Sequence, residues 1–304
     1  MSTTVAVTGA TGFIGKHIVG NLLSRGFKVR ALTRTPQPST DDNLVWIQGS
    51  LEDQSSLWEL LRGATCVVHC AGQVRGSSQD IFTQCNVNGS VGLMQAARLS
   101  GSCKRFLFLS SLAARHPQLS WYARSKFVAE RELISMAVGM SLGIFRPTAV
   151  YGPGDKELKP VFDWLLRGVL PRLGSPEAKL SFLHVSDLAE AVSQWLVSDV
   201  PETQTCELCD GVQGGYNWLR LKAIGSAVRG GPVRLLGVPL PALKFFADVS
   251  MLWNRLARKE PMLTHSKIRE LTHQDWSASN TSLSETIHWL PEVSLERALR
   301  ERLF

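Results

Sequence analysis

Tyr122 and Lys126 stand four residues apart in Tyr122-Ala123-Arg124-Ser125-Lys126. On a helix that spacing puts both side chains on one face. A free tyrosine, with a pKa of about 10, is a poor base at neutral pH. A nearby ammonium favours the phenolate and lowers that value. Such a pair can exchange a proton with a carbonyl or alcohol oxygen. Upstream, Phe106-Leu107-Phe108-Leu109-Ser110-Ser111 reads as a strand ending in two hydroxyls, one of which can hydrogen-bond the same oxygen. The plainer alternative is a surface tyrosine and lysine on an ordinary helix. The surrounding elements decide between the two.

Those elements begin with Thr8-Gly9-Ala10-Thr11-Gly12-Phe13-Ile14-Gly15, directly behind the apolar run Val5-Ala6-Val7. Ile18, Val19, Leu22 and Leu23 then recur at helical spacing. The glycines therefore occupy a strand-to-helix turn, where free N–H groups and the positive end of the helix dipole suit a diphosphate. Gly9 permits the tight turn, Gly12 lets phosphates approach, and Gly15 lets helix pack on strand. Thr11, Phe13 and Ile14 belong to the same cofactor turn.

Strand patterns at Lys28–Thr33, Leu44–Gln48, Cys66–Cys70, Arg105–Ser110 and Leu142–Arg146 alternate with helical patterns. The helices are expected at Gly15–Ser24, Gln54–Arg62, Phe82–Leu99 and Tyr122–Ala137. This predicts an α/β fold, a Rossmann-type doubly wound parallel sheet. Residues 1–153 form the expected dinucleotide-binding domain. Residues 154–304 form a smaller C-terminal α/β substrate lobe, with segments near 180–190 and 205–209 returning to the sheet.

Where a site for NAD usually carries an acid at the end of its second strand, this chain has Thr33 and Arg34. A guanidinium pairs with a 2′-phosphate that a carboxylate would repel. NADP(H) is therefore expected over NAD(H). Ser50 and Leu51 are placed beside the adenine, and Ala71, Gly72 and Gln73 along the path to the nicotinamide ribose.

The bulk properties exclude several classes. The net charge of +7 comes from scattered residues with no basic block, which argues against nucleic acid. The N-terminus does not read as a signal peptide, and a cytoplasmic enzyme is expected. The six cysteines are irregularly spaced, and Cys206-Glu207-Leu208-Cys209 has no second pair nearby. Neither a disulfide framework nor a metal site is expected. Leu235–Leu256 is apolar but carries Pro239, Pro241, Lys244, Asp248 and Asn254. It is read as an amphipathic helix capping the substrate cleft, with membrane-surface attachment the minor alternative.

Taken together, these motifs resemble the extended short-chain dehydrogenases/reductases of the NAD(P)-dependent epimerase/dehydratase superfamily. Further matching segments are His69-Cys70-Ala71-Gly72, Asn86-Val87-Asn88-Gly89, Arg146 to Gly154 and His184 to Ala189. The resemblance implies that Ser111 polarises the substrate oxygen and Tyr122 is the general acid/base. It implies that Lys126 holds the nicotinamide ribose and that Pro147 and Val150 lie against the nicotinamide. Asn86 would order the sheet edge, and His184 and Asp187 would fasten the two lobes. The C-terminal segments Cys209-Asp210-Gly211, Pro261-Met262-Leu263-Thr264 and His288-Trp289-Leu290-Pro291 are similar to the 3β-hydroxysteroid-dehydrogenase-like and dihydroflavonol-reductase-like branch.

The expected activity is an NADPH-dependent ketoreductase or alcohol dehydrogenase acting on a small-molecule carbonyl or alcohol. Trp121, Phe162, Trp164 and Leu165 are expected near the cleft rim. The alternatives are a nucleotide-sugar 4-epimerase with retained NAD and a non-catalytic dinucleotide-binding subunit. The short interval from Ser111 to Tyr122 and the presence of all three chemical residues weigh against them. A homodimer through the Phe82–Leu99 and Tyr122–Ala137 helices would match the resemblance.

Overall fold

The computed structural model describes residues 3–39, 41–257 and 264–304. Pro261, Met262 and Leu263 of the C-terminal motif lie outside the described residues. Strands β1 (Thr4–Thr8), β2 (Lys28–Thr33), β3 (Leu44–Gln48), β4 (Cys66–His69), β5 (Arg105–Leu109) and β6 (Ser141–Pro147) come first. Between them lie α1 (Phe13–Ser24), α2 (Gln54–Leu61), α3 (Gln79–Phe82), α4 (Gly89–Leu99) and α5 (Trp121–Met136). The chain continues with β7 (Ala149–Tyr151), α6 (Lys159–Leu166), β8 (Val169–Leu173), β9 (Phe182–His184), α7 (Val185–Val197) and β10 (Thr203–Leu208). It ends with α8 (Trp218–Arg229), β11 (Arg234–Val238), α9 (Leu240–Ala257), α10 (His265–Leu271), α11 (Thr281–Ile287) and α12 (Leu295–Glu301).

The central sheet is parallel, in the order β10-β6-β5-β4-β1-β2-β3. Its inner strands are buried on both faces, so they read as continuous apolar runs. Ile18 and Leu22 of α1 and Leu188, Val192 and Trp195 of α7 cover one face. Leu57 and Leu60 of α2, Leu93 and Met94 of α4, and Leu133 of α5 cover the other. Strand order reverses between β1 and β4. The loops after those two strands therefore diverge and leave a crevice at the carboxyl edge. A third apolar cluster joins Tyr151, Phe162, Leu165, Phe182, Tyr216, Trp218 and Leu295. Among the described residues, no helix is long and apolar enough to cross a membrane.

Three expectations change. The 180–190 segment does not return to the central sheet: β9 pairs in parallel with β7 in a separate two-stranded sheet. The 205–209 segment does return, as β10 beside β6. The helix expected over Phe82–Leu99 is interrupted by a π-helical stretch, Thr83–Asn88, which turns Asn86 into the interior. The apolar segment from Leu235 opens as β11, paired with β8, and becomes helical only at Leu240. Pro239 favours extended backbone at Val238, so the helix starts after it.

Register supplies the link to the site. β1 and β4 are aligned so that Thr8 lies beside His69. The Thr8 hydroxyl donates to His69 Nδ1 at 2.6 Å and accepts the Ala71 N–H at 3.3 Å. His69 Nε2–H donates to Ser90 Oγ at 2.8 Å, and Ser90 donates to the Asn86 carbonyl at 2.6 Å. These directions assign a neutral His69 with its proton on Nε2. Burial, with a contribution from the Lys126 charge, pushes its pKa down to about 3.

The folded value lies below the unfolded one of about 6.5. The stabilisation from this histidine is therefore complete above pH 6.5 and is lost as the pH falls towards 3. The loss reaches up to about 1.4 kcal/mol per pH unit. Urea unfolding from pH 7 to pH 4 should show a steeper decline for the wild type than for His69→Gln. Parallel curves would assign the acid sensitivity elsewhere.

Candidate active site

The glycine turn lies over the carboxyl ends of β1 and β4. Gly9 has φ +70°, and a Cβ there would stand 2.6 Å from the Ala71 nitrogen. A Cβ on Gly15 would stand 2.1 Å from the Gly9 oxygen. Helix α1 opens at Gly12 with no side-chain cap and no acid in its first turn. Its first N–H groups and dipole are thus left for an external anion. Thr11 and Gly12 are exposed, and Phe13 and Ile14 half-buried, as a phosphate-facing turn requires. His17 Nε2 hydrogen-bonds the Pro153 carbonyl at 2.8 Å and ties α1 to the loop after β7.

At the end of β2, Thr33 is buried and its hydroxyl donates to the Thr35 carbonyl at 2.6 Å. Thr33 therefore shapes the turn, which leaves exposed Arg34 as the side chain facing outward. Ser50 Oγ caps the next turn by accepting the Glu52 N–H at 3.3 Å. Leu51 packs on α4, where a Cβ on Gly89 would meet its Cδ1 at 2.9 Å. Half-buried Ala71 and Gln73 and exposed Gly72 follow β4. Pro147 is buried at the end of β6, and Val150 is half-buried beyond it.

Asn86 is fully buried and reaches two loops. Its Oδ1 accepts the Gln73 N–H at 2.6 Å, and its Nδ2 donates to the Gln73 carbonyl and to Ser125 Oγ, each at 2.9 Å. Ser125 in turn donates to the Tyr122 carbonyl at 2.8 Å. Asn86 thus positions the Gln73 loop and α5, and both of its amide N–H donors are taken.

Ser110 is committed to structure. Its hydroxyl donates to buried Glu130 at 2.5 Å, and Arg146 closes a bidentate pair with the same carboxylate. Half-buried Ser111 begins a turn of tighter helix, with Oγ accepting the Ala113 N–H at 3.2 Å. Its hydroxyl also lies beside the Tyr122 phenol. Ser120 caps α5 by accepting the Ala123 N–H at 2.9 Å. This starts the helix so that Tyr122 faces the recess and Lys126 the sheet.

The electrostatics differ from expectation. Burial lifts the Tyr122 pKa above its ordinary value; the Ser111 hydroxyl opposes this, Glu270 adds to it and Lys267 opposes it. Lys126 points inward: Nζ donates to the Leu109 carbonyl at 2.8 Å and sits 4.7 Å from the Phe108 ring centroid. Burial lowers its own pKa to about 8. The cation bearing on Tyr122 is therefore Lys267 of α10, which no local sequence pattern marks. A recess beside Tyr122 is lined by Arg75, Phe82, Ser120, Lys267 and Glu270.

Phe162 and Leu165 are core, each 2% exposed, rather than cleft rim. Trp121 and Trp164 are exposed but do not line this recess. α9 packs behind α10, through Leu243, Ala247 and Ile268, so α10 is the element that closes on the site. His184 bonds the Leu303 carbonyl at 3.0 Å, and Asp187 accepts the Val293 N–H at 3.0 Å. Both fasten α7 to the C-terminal segment. Cys206 and Cys209 are buried free thiols whose pKa values burial raises. Among the described residues, no cluster could hold a metal ion.

Residues 5–205 match the sequence profile of the NAD dependent epimerase/dehydratase family. The chain is 33% identical over 287 residues to the ceramide reductase of Caulobacter vibrioides, spanning 93% of this chain and 88% of that protein. It is 24% identical to the 2-alkyl-3-oxoalkanoate reductase of Stenotrophomonas maltophilia, over 97% of each. The solved structure of MoeE5 with UDP-glucuronic acid and NAD superposes with a TM-score of 0.74, covering 98% of this chain and 96% of that one at 21% identity. That likeness shows the fold. With the uncapped glycine turn, the crevice and the ordered motifs, the profile match over residues 5–205 establishes that this chain belongs to the NAD dependent epimerase/dehydratase family.

Proposed function

We propose that the protein is an NADPH-dependent ketoreductase that interconverts a carbonyl and an alcohol on a partly apolar small molecule. The observation that carries this reading is the placement of the Ser111 hydroxyl beside the half-buried Tyr122 phenol, at the sheet edge that holds the glycine turn. Residues 1–153 hold the dinucleotide, and residues 154–304 shape the substrate end. The uncapped start of α1 receives the diphosphate, and Arg34 pairs with the 2′-phosphate. Lys126 would hold the nicotinamide ribose, and Pro147 and Val150 would lie against the nicotinamide. NADPH, when bound, supplies the hydride to the carbonyl carbon. Tyr122 gives its phenolic proton to the carbonyl oxygen while Ser111 donates a hydrogen bond to that oxygen. A new C–H bond and a new O–H bond result, and the tyrosine is reprotonated from solvent. The names of the ceramide and 2-alkyl-3-oxoalkanoate reductases support a substrate with a long apolar part and oxygen near its reacting carbon.

Titration of cofactor-free protein, followed by nicotinamide fluorescence, should show tight NADPH and weak NADH binding. Arg34→Ala should raise the Michaelis constant for NADPH about 10- to 100-fold, the cost of a lost charge-assisted pair, and erase the preference over NADH. An unchanged constant would remove Arg34 from the phosphate site. Purified protein carrying retained NAD, active without added cofactor, would replace the reductase reading with a 4-epimerase.

Tyr122→Phe should lower kcat for carbonyl reduction by about 10²- to 10⁴-fold, the usual weight of a positioned proton donor. NADPH binding should persist, because the aromatic ring and its contact with Phe82 remain. Full activity in this variant would assign the proton to another group.

A further inference from the structure

One wall of the recess that Tyr122 lines is built by α10. Thr264 caps that helix, accepting the Lys267 N–H at 3.2 Å. Lys267 and Glu270, three apart, then share a face. Glu270 is 6% exposed and is held from two sides. Ser120 donates to its Oε1, and Lys267 Nζ donates to its Oε2 at 2.9 Å. Ser120 is also the cap of α5, and Arg269 Nε donates to the Leu119 carbonyl at 2.9 Å. Helix α10 is thereby clamped to the first turn of the helix that bears Tyr122.

The clamp fixes an ammonium in the recess. Among the described residues, Glu270 takes one of three N–H donors on Lys267, and two remain to be offered. The Lys267 side chain is still 41% exposed. Arg75, the other cation lining the recess, is paired with Glu157. Phe82 and Val74 complete the lining of the recess. Lys267 and Tyr122 are near enough for each charge to bear on the other. Two donors lining one small recess suit two oxygens joined by a short spacer.

We propose that Lys267, held by Glu270, binds a second oxygen of the substrate close to the reacting carbonyl, so that the site selects 3-oxo amides and related 1,3-dicarbonyl compounds over isolated ketones. This rests on the reductase reading and adds a substrate class to that site. The keto oxygen faces Tyr122 and Ser111, and the second carbonyl oxygen accepts from Lys267. Glu270 acts as a positioning residue through Lys267.

N-methyl-3-oxododecanamide and 3-dodecanone test this, because they share the ketone and the nonyl chain and differ in the second carbonyl. Lys267→Met keeps most of the apolar stem. It should lower the ratio of kcat/KM for the amide over the plain ketone about 10- to 100-fold, as expected when a charge-assisted hydrogen bond is lost. Most of that change should fall on KM. Lys267→Arg should restore part of the ratio, and Glu270→Gln should lower it in the same sense as Lys267→Met. If Lys267→Met lowers both substrates in proportion, the lysine is structural and the proposal fails; an unchanged ratio overturns it equally. If the wild type turns over neither ketone, the reductase reading fails. Calorimetric binding of the two compounds to the NADP⁺-loaded protein then still decides the role of Lys267. Tighter amide binding that is lost in Lys267→Met upholds the role, and equal binding of the two compounds refutes it.

Discussion

A line of buried hydrogen bonds runs from the first strand to the backbone of Tyr122, and the active edge depends on it. Thr8, His69, Ser90, Asn86 and Ser125 each pass a bond onward, from β1 through β4 and α4 to α5. Such groups are expensive to bury without partners, so each member fixes the next. Parallel register between β1 and β4 is thereby converted into a position for the tyrosine helix. The line runs in this direction only with a neutral histidine: protonating Nδ1 would remove the acceptor of the Thr8 hydroxyl proton.

Close approach of backbones is the second constraint. The loops after β1 and β4 touch where a Gly9 side chain would be. A Cβ on Gly72 would lie 3.1 Å from Lys126 Nζ and 3.3 Å from Asn86 Oδ1. Glycine here leaves room for the buried ammonium and the asparagine together. The inward lysine is therefore a product of packing as much as of its own charge.

The sheet was legible in the sequence because its strands are buried on both faces and bounded by glycine and polar turns. The glycine turn, Ser111, Tyr122 and Lys126 were legible because each sits at a strand end or on one helical face. The π-helical stretch at Thr83–Asn88 was not, since its sequence keeps the helical period on both sides. The partnering of β9 with β7 was not, because three-residue strands carry no pairing signal. Ser120 could have been read as a helix cap preceding Trp121. Its union with Glu270 could not, as a contact between residues 150 positions apart leaves no local pattern. Phe162 and Leu165 were assigned to the cleft rim because an apolar side chain at a predicted edge looks the same whether it meets a ligand or the core.

Burial moves the two central groups in opposite directions, and both shifts favour neutrality. It raises the tyrosine and lowers the lysine. A phenol held above its ordinary value is a proton donor rather than a base at neutral pH. That suits a site reducing a carbonyl, where negative charge grows on oxygen as hydride arrives. The fixed charge next to this donor belongs to Lys267, anchored by a carboxylate that the tyrosine helix itself helps to hold. On the proposed reading, neutral acid and anchored cation divide the work: the phenol supplies the proton, and the ammonium holds the second oxygen of the substrate. Because Ser120 joins the two helices, neither group can be displaced without disturbing the other.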